Sequence, residues 1–169
     1  PELEGKAIKQ QQFELEKKLG ELITYNERLV SARTDIQNNS LTANSFQEII
    51  GTVSSGGLVV SEKDEGLLSQ LSEIEKELAK ARTKYSSNST IIKGLENREK
   101  EIRPYLKNNQ LKNVDTALKI NTAKINSLKN QLTNIQEKFI NQPSLIKKYN
   151  ILQQSLKIAF DNLNSLSSA

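Results

Sequence analysis

Apolar residues return along this chain at steps of four and three, the spacing of one stripe on a helix. From Leu67 the series is Leu67, Leu71, Ile74, Leu78, Ala81 and Tyr85, in strict alternation, and it predicts a coiled-coil seam. A second stripe runs Ile91, Leu95, Arg98, Ile102, Tyr105. A third runs Leu111, Val114, Leu118, Asn121, Ile125, Leu128, Leu132, Ile135, Phe139, and a fourth Leu145, Tyr149, Leu152, Leu156, Ala159, Leu163, Leu166. The second and third are out of phase, because continuing the second calls for positions 109 and 112. Pro104 lies just before the mismatch, and a proline inside a helix removes a backbone donor and crowds the preceding turn, so a kink near 104–110 is expected.

The N-terminal third carries a broad apolar face of Phe13, Leu15, Leu19, Leu22, Ile23, Leu29 and Val30, interrupted only by Gly20, which weakens a helix by roughly 1 kcal/mol relative to alanine. The pattern therefore predicts helices over about 2–37, 64–86, 90–139 and 144–167. Residues 38–62 form the irregular stretch, rich in Asn, Ser and Gly, with a short helix over 41–50 capped by Thr42 or Asn44 and a brief extended piece at Leu58, Val59 and Val60. Ser61 and Asp64 have capping-box spacing. The polar run K-Y-S-S-N-S-T-I-I at 84–92 is a tight reversal, and so short a connection makes antiparallel neighbours. Ile91 to Ile135 as one helix would reach roughly 65 to 70 Å. Before Pro143 the helical region is disfavoured, so a new helix starts there, with Asn141 or Ser144 placed to cap it. The fold class is all-α: an elongated antiparallel helical hairpin, a coiled-coil stalk with one irregular insertion, forming a single domain over 1–169.

Composition narrows the chemistry. With 5% aromatic residues and no Trp, Met, Cys or His, the chain has thin material for a globular core. Missing His and Cys removes the usual imidazole and thiolate metal ligands and every thiol nucleophile. No residue receives a catalytic, cofactor-binding or metal-binding role. No run of about 18 apolar residues occurs, and a start at Pro1 suggests a piece of a longer protein. The formal charge of +4 is uneven, with 15 Lys and Arg against 17 acids before residue 104 and 9 Lys against 3 acids after it. Those lysines are spread out, without arginine clusters or stacking aromatics, so nucleic acid is not an expected partner.

Four residues stand out as packing or register candidates. Tyr85 and Tyr149 occupy seam positions and are read as packing residues. Arg98 is placed to pair with Glu73 or Glu77 across the hairpin, or to snorkel. Asn121 is an asparagine in a seam, which fixes register at a cost in stability, so Asn121→Leu is expected to raise thermal stability.

The stretch from Glu65 to Leu106, E-G-L-L-S-Q-L-S-E-I-E-K-E-L-A-K-A-R-T-K-Y-S-S-N-S-T-I-I-K-G-L-E-N-R-E-K-E-I-R-P-Y-L, resembles the periplasmic stalk of polysaccharide co-polymerases, the Wzz-type or GumC-type chain-length determinants. The later I-N-Q-P-S-L-I-K-K-Y-N-I-L is similar to that family's segment before its second membrane helix, and N-V-D-T-A-L-K-I-N-T-A-K-I looks most like cyanobacterial members. The resemblance implies a non-enzymatic stalk on the periplasmic face of the inner membrane, anchored by membrane helices outside this sequence. It also implies homo-oligomers and partnership with a polysaccharide polymerase and the nascent exopolysaccharide or O-antigen; some members carry a cytoplasmic tyrosine kinase domain. Two alternatives stay open. V-V-S-E-K-D before a heptad helix also suits the hairpin of a HlyD-type membrane-fusion adaptor, and an unrelated cytoplasmic coiled-coil scaffold fits the periodicity alone.

Overall fold

The computed structural model of the chain describes residues 2–138 and 143–167, and among them five helices and no strand. They are α1 (Glu2–Asn38), α2 (Ala43–Ser54), α3 (Glu62–Lys84), α4 (Thr90–Lys138) and α5 (Pro143–Ser167). The all-α class is what the periodicity demands. The chain divides into two compact units: unit 1 comprises residues 1–30 and 118–169, and unit 2 residues 31–117. The expected end of the third stripe at Phe139 and the cap at Asn141 lie outside the described residues, as do the side chains of Ser144 and Leu145.

The irregular insertion is half helix. In α2 the side chain of Thr42 accepts a hydrogen bond from the Ser45 amide at 3.2 Å, and its carbonyl accepts from Phe46. Phe46, Ile49, Ile50 and Val53 form its buried face, and α2 packs on α3. At roughly 1.5–3 kcal/mol per buried apolar side chain, this face is what holds a helix of only 12 residues. The helix ends at the C-cap Ser55, and the turn that follows passes through Gly57 at φ 96°, a left-handed conformation that side chains resist. The extended piece expected at Leu58–Val60 pairs with no strand among the described residues.

In unit 2, α3 and α4 run antiparallel. Arg82 meets Glu96 at 3.7 Å, Glu75 meets Arg103 at 3.4 Å and Asp64 meets Asn109 at 2.9 Å, so partners climb on one helix as they fall on the other. Acids in the first turn of α3 and Arg82 and Lys84 in its last complement the helix dipole. The α3 stripe is buried from Leu71 through Ala81, but Tyr85, expected in the seam, is 46% exposed. It is the C-cap, extended at φ −124° and ψ 155°, so its side chain has left the helical stripe.

On α4 the buried face differs from the expected stripe. Ile92 and Leu106 are buried, whereas Ile91 and Tyr105 are 48% and 39% exposed. The buried positions Ile102, Leu106, Gln110 and Val114 step by four three times, and Ala117, Asn121, Ile125, Leu128, Leu132 and Ile135 follow at three or four. Each step of four advances the stripe by about 40° around the helix. The phase mismatch is thus absorbed by a stripe that migrates around α4, which stays helical without a break through Pro104.

Unit 1 gathers Leu19 from α1, Ile125, Leu128 and Leu132 from α4, and Tyr149 and Leu156 from α5 into one apolar cluster. Thr133 and Tyr149 hydrogen-bond at 2.9 Å across 16 residues of chain. A continuous helix would separate them by about 24 Å, so α5 runs back along α4.

Candidate functional site

The polar groups inside the helix interfaces are the chemistry this chain offers. In unit 1, Asn121 is 2% exposed and Asn26 1%. The Asn121 Nδ2 group donates to Asn26 Oδ1 at 2.5 Å and to the Leu22 carbonyl at 2.8 Å, using both of its hydrogens. Sliding α1 along α4 by a turn would bury both amides without partners, which is how a polar pair in a seam sets register. Tyr149 is 5% exposed, its hydroxyl between Thr133 Oγ1 and Gln153 Nε2, which donates to it at 2.6 Å.

Unit 2 is tied together by Arg103. Its Nε donates to the Leu41 carbonyl at 3.0 Å, one terminal nitrogen to Glu99 at 2.7 Å, and the other to Glu75 at 3.4 Å. Glu75 Oε1 also accepts from the Ala43 amide at 3.0 Å, at the first residue of α2. Since α2 has no acid in its own first turn, a carboxylate from α3 supplies the charge that its amino end favours. Arg33 adds a 2.8 Å pair with Asp115.

At the start of α3, Ser61 Oγ accepts from the Asp64 amide at 3.2 Å. Asp64, 4% exposed, accepts from Asn109 Nδ2 through Oδ1, so the residue whose amide Ser61 caps also joins α3 to α4. Beside it the Lys63 ammonium lies 4.8 Å from the centre of the Tyr105 ring. Contact with the Tyr105 side chain raises Lys63 above its ordinary 10.5, and the same contact, with help from Asn109, lowers the Tyr105 hydroxyl below 10.0. Gln110 is fully buried, and neither its Oε1 nor its Nε2 has a hydrogen-bond partner.

Of the sequence candidates, Asn121 and Tyr149 lie in buried seams and Tyr85 does not. Arg98 pairs with neither Glu73 nor Glu77: Glu73 bonds Lys76 at 3.6 Å, and Arg98 lines an open groove. The reason is the phase of α4, which turns position 98 outward with Ile91 and Tyr105. Sequence reasoning missed Asn26, Glu75, Arg103, Asn109 and Gln110. A signal for Asn26 existed, because Gln12, Leu15, Leu19, Leu22, Asn26, Leu29, Arg33 and Ile36 keep a three-four alternation along α1. Among the described residues no group of three or more His, Cys, Asp or Glu is arranged to hold a metal ion, and no helix is long and apolar enough to cross a membrane.

These contacts define a class of structure, antiparallel helices kept in register within each unit by buried polar pairs. Comparisons with protein-family models, curated proteins and solved structures find no match for the chain.

Proposed function

We propose that the chain is a non-enzymatic helical stalk of an inner-membrane polysaccharide co-polymerase, acting at the periplasmic face on the length or export of an exopolysaccharide or O-antigen. The observation that carries the reading is the reversal between α3 and α4. It falls in residues 85–89, inside the stretch that resembles the family's stalk, although Ser89-Thr90 stands where the family often has His-Pro or Ser-Pro, and the pairs Arg82 with Glu96 and Glu75 with Arg103 show the antiparallel return of α4 along α3. The start of α5 at Pro143 and its return along α4 support the reading, since the resembling P-S-L-I-K-K-Y segment opens that helix.

In this role the protein contributes geometry. Copies assemble laterally through helical faces, and the nascent glycan made by a partner polymerase passes along the assembly, so helix length and register set the product.

The test is made in the source organism. Residues 85–89 are replaced by a helix-continuing Ala-Glu-Ala-Lys-Ala segment, and the length distribution of the surface glycan is compared on gels. A loss or shift of the preferred length is expected; an unaltered distribution from a stably expressed variant counts against the reading. Small-angle scattering of the isolated chain should give an elongated profile, and a compact one is incompatible with a stalk.

A further inference from the structure

One cavity in unit 2 gathers two features of the sequence that helix packing does not use: the polar run Asn38-Asn39-Ser40, and Pro104 inside a helix of 49 residues. Its volume is about 620 Å³, within the roughly 300–1,000 Å³ of small-ligand sites. Both walls are held in place. Arg103 Nε donates to the Leu41 carbonyl at 3.0 Å and Lys107 Nζ to the Gln37 carbonyl at 3.4 Å, tying the connection between α1 and α2 to α4.

The α4 wall carries charge that the chain does not neutralise. Lys100, Pro104 and Lys107 step by four and three, so they share one face, with the two lysines about 10.5 Å apart along the helix. Neither lysine makes an ion pair with a described residue. Glu99, the one acid among the lining residues, is taken by Arg103 at 2.7 Å, and Arg103 also meets Glu75 at 3.4 Å. Pro104 adds an acceptor. Having no N–H, it leaves the Lys100 carbonyl without its helical donor, an oxygen free to accept from a ligand hydroxyl.

These groups select the ligand. The side chains of Asn38, Asn39 and Ser40 are exposed and both donate and accept, as sugar hydroxyls do. Ile36, Leu41 and Phe46 line the floor at 0%, 8% and 1% exposure, so they give little surface to an acyl chain and no ring face on which a base would stack. We propose that this cavity binds a sugar acid, its carboxylate met by Lys100 and Lys107 and its hydroxyls by Asn38, Asn39, Ser40 and the Lys100 carbonyl. The site does not depend on the stalk role: its test is binding by the isolated chain, whereas the role is tested by glycan length in the organism.

The whole chain is titrated calorimetrically with a galacturonate hexamer, a neutral glucose hexamer and a linear hexaphosphate. The galacturonate hexamer should bind roughly tenfold more tightly than either of the others, because it alone carries both hydroxyls and carboxylates. Hydrogen exchange should place the new protection at 36–46. Lys100→Gln, which breaks no contact within the chain, should weaken the hexamer severalfold, and Lys119→Gln, outside the cavity, should leave it unchanged. Pro104→Ala should raise the thermal midpoint by restoring the helical bond and still weaken the hexamer. Competition by free galacturonate identifies a single sugar as the occupant, and its failure to compete identifies a polymer of sugar acids. No binding of the galacturonate hexamer, equal binding of the neutral hexamer or the hexaphosphate, or equal losses in Lys100→Gln and Lys119→Gln overturns the proposal.

Discussion

Asn121 on α4 donates a 2.5 Å hydrogen bond to Asn26 on α1, and both side chains are almost wholly buried. Ninety-five residues apart in sequence, they form one polar unit in an apolar seam.

That pairing reverses the expectation for Asn121→Leu. Removing one amide leaves the Asn26 carbonyl oxygen buried without its donor, at about 1–3 kcal/mol. Asn121→Leu and Asn26→Leu should each lower stability in urea titrations. The double variant should recover most of the loss, because two apolar groups leave nothing unsatisfied. Strictly additive losses would show that the two amides act independently.

Arg103 should be indispensable to the placement of α2. Arg103→Leu leaves the Leu41 carbonyl without its donor and two carboxylates without their cation, at about 2 kcal/mol. Hydrogen exchange over residues 43–54 should accelerate more than over 118–138. Arg103→Lys should not restore protection, since an ammonium lacks the planar fork that reaches three acceptors. Uniform acceleration over the whole chain would contradict the local role.

Gln110 makes the opposite prediction. Both amide atoms are buried unpaired, so Gln110→Leu, of similar volume, should stabilise by about 1–3 kcal/mol. At about 2–4 °C per kcal/mol for a chain of this size, calorimetry should register a clear rise in midpoint. A fall would mean that the amide is satisfied in solution.

Lys63 and Tyr105 predict alkaline behaviour. A raised lysine contributes stability that is complete below 10.5 and lost as pH climbs through its higher folded value. A lowered tyrosine contributes stability that is complete above 10.0 and lost as pH falls through its lower folded value. The two shifts describe one attraction, between the ammonium and the phenolate, which needs lysine charged and tyrosine ionised together and fades as pH moves to either side of the alkaline range where they coexist. Ultraviolet titration, differenced against Tyr105→Phe, should show Tyr105 ionising below 10.0, and Lys63→Ala should return it toward the ordinary value. No change in Lys63→Ala would exclude the contact.

The helices were legible because period and caps are local properties. Leu71, Ile74, Leu78 and Ala81 name the inner face of α3, and Ser61 its start. What failed was phase on α4. Ile91 and Ile92 are adjacent and both apolar, and only the neighbouring helices decide which turns inward. The three steps of four through Gln110 hid the continuity, because a polar residue occupies a buried place in the run. That Arg103 and Glu75 hold the Leu41 carbonyl and the Ala43 amide could not be read from sequence, since those contacts rest on the course of residues 39–42, where no periodicity operates.

Glu75 at the amino end of α2 also carries a consequence for the order in which the molecule is made. The carboxylate that completes α2 is 32 residues downstream of the amide it meets, and Arg103, which holds it, comes later still. A nascent chain presents Ala43–Ser54 long before either residue exists, and a 12-residue helix is marginal alone. Its apolar partner α3 follows it in the chain and Arg103 follows later still, so in refolding its amides should be the last of unit 2 to gain protection.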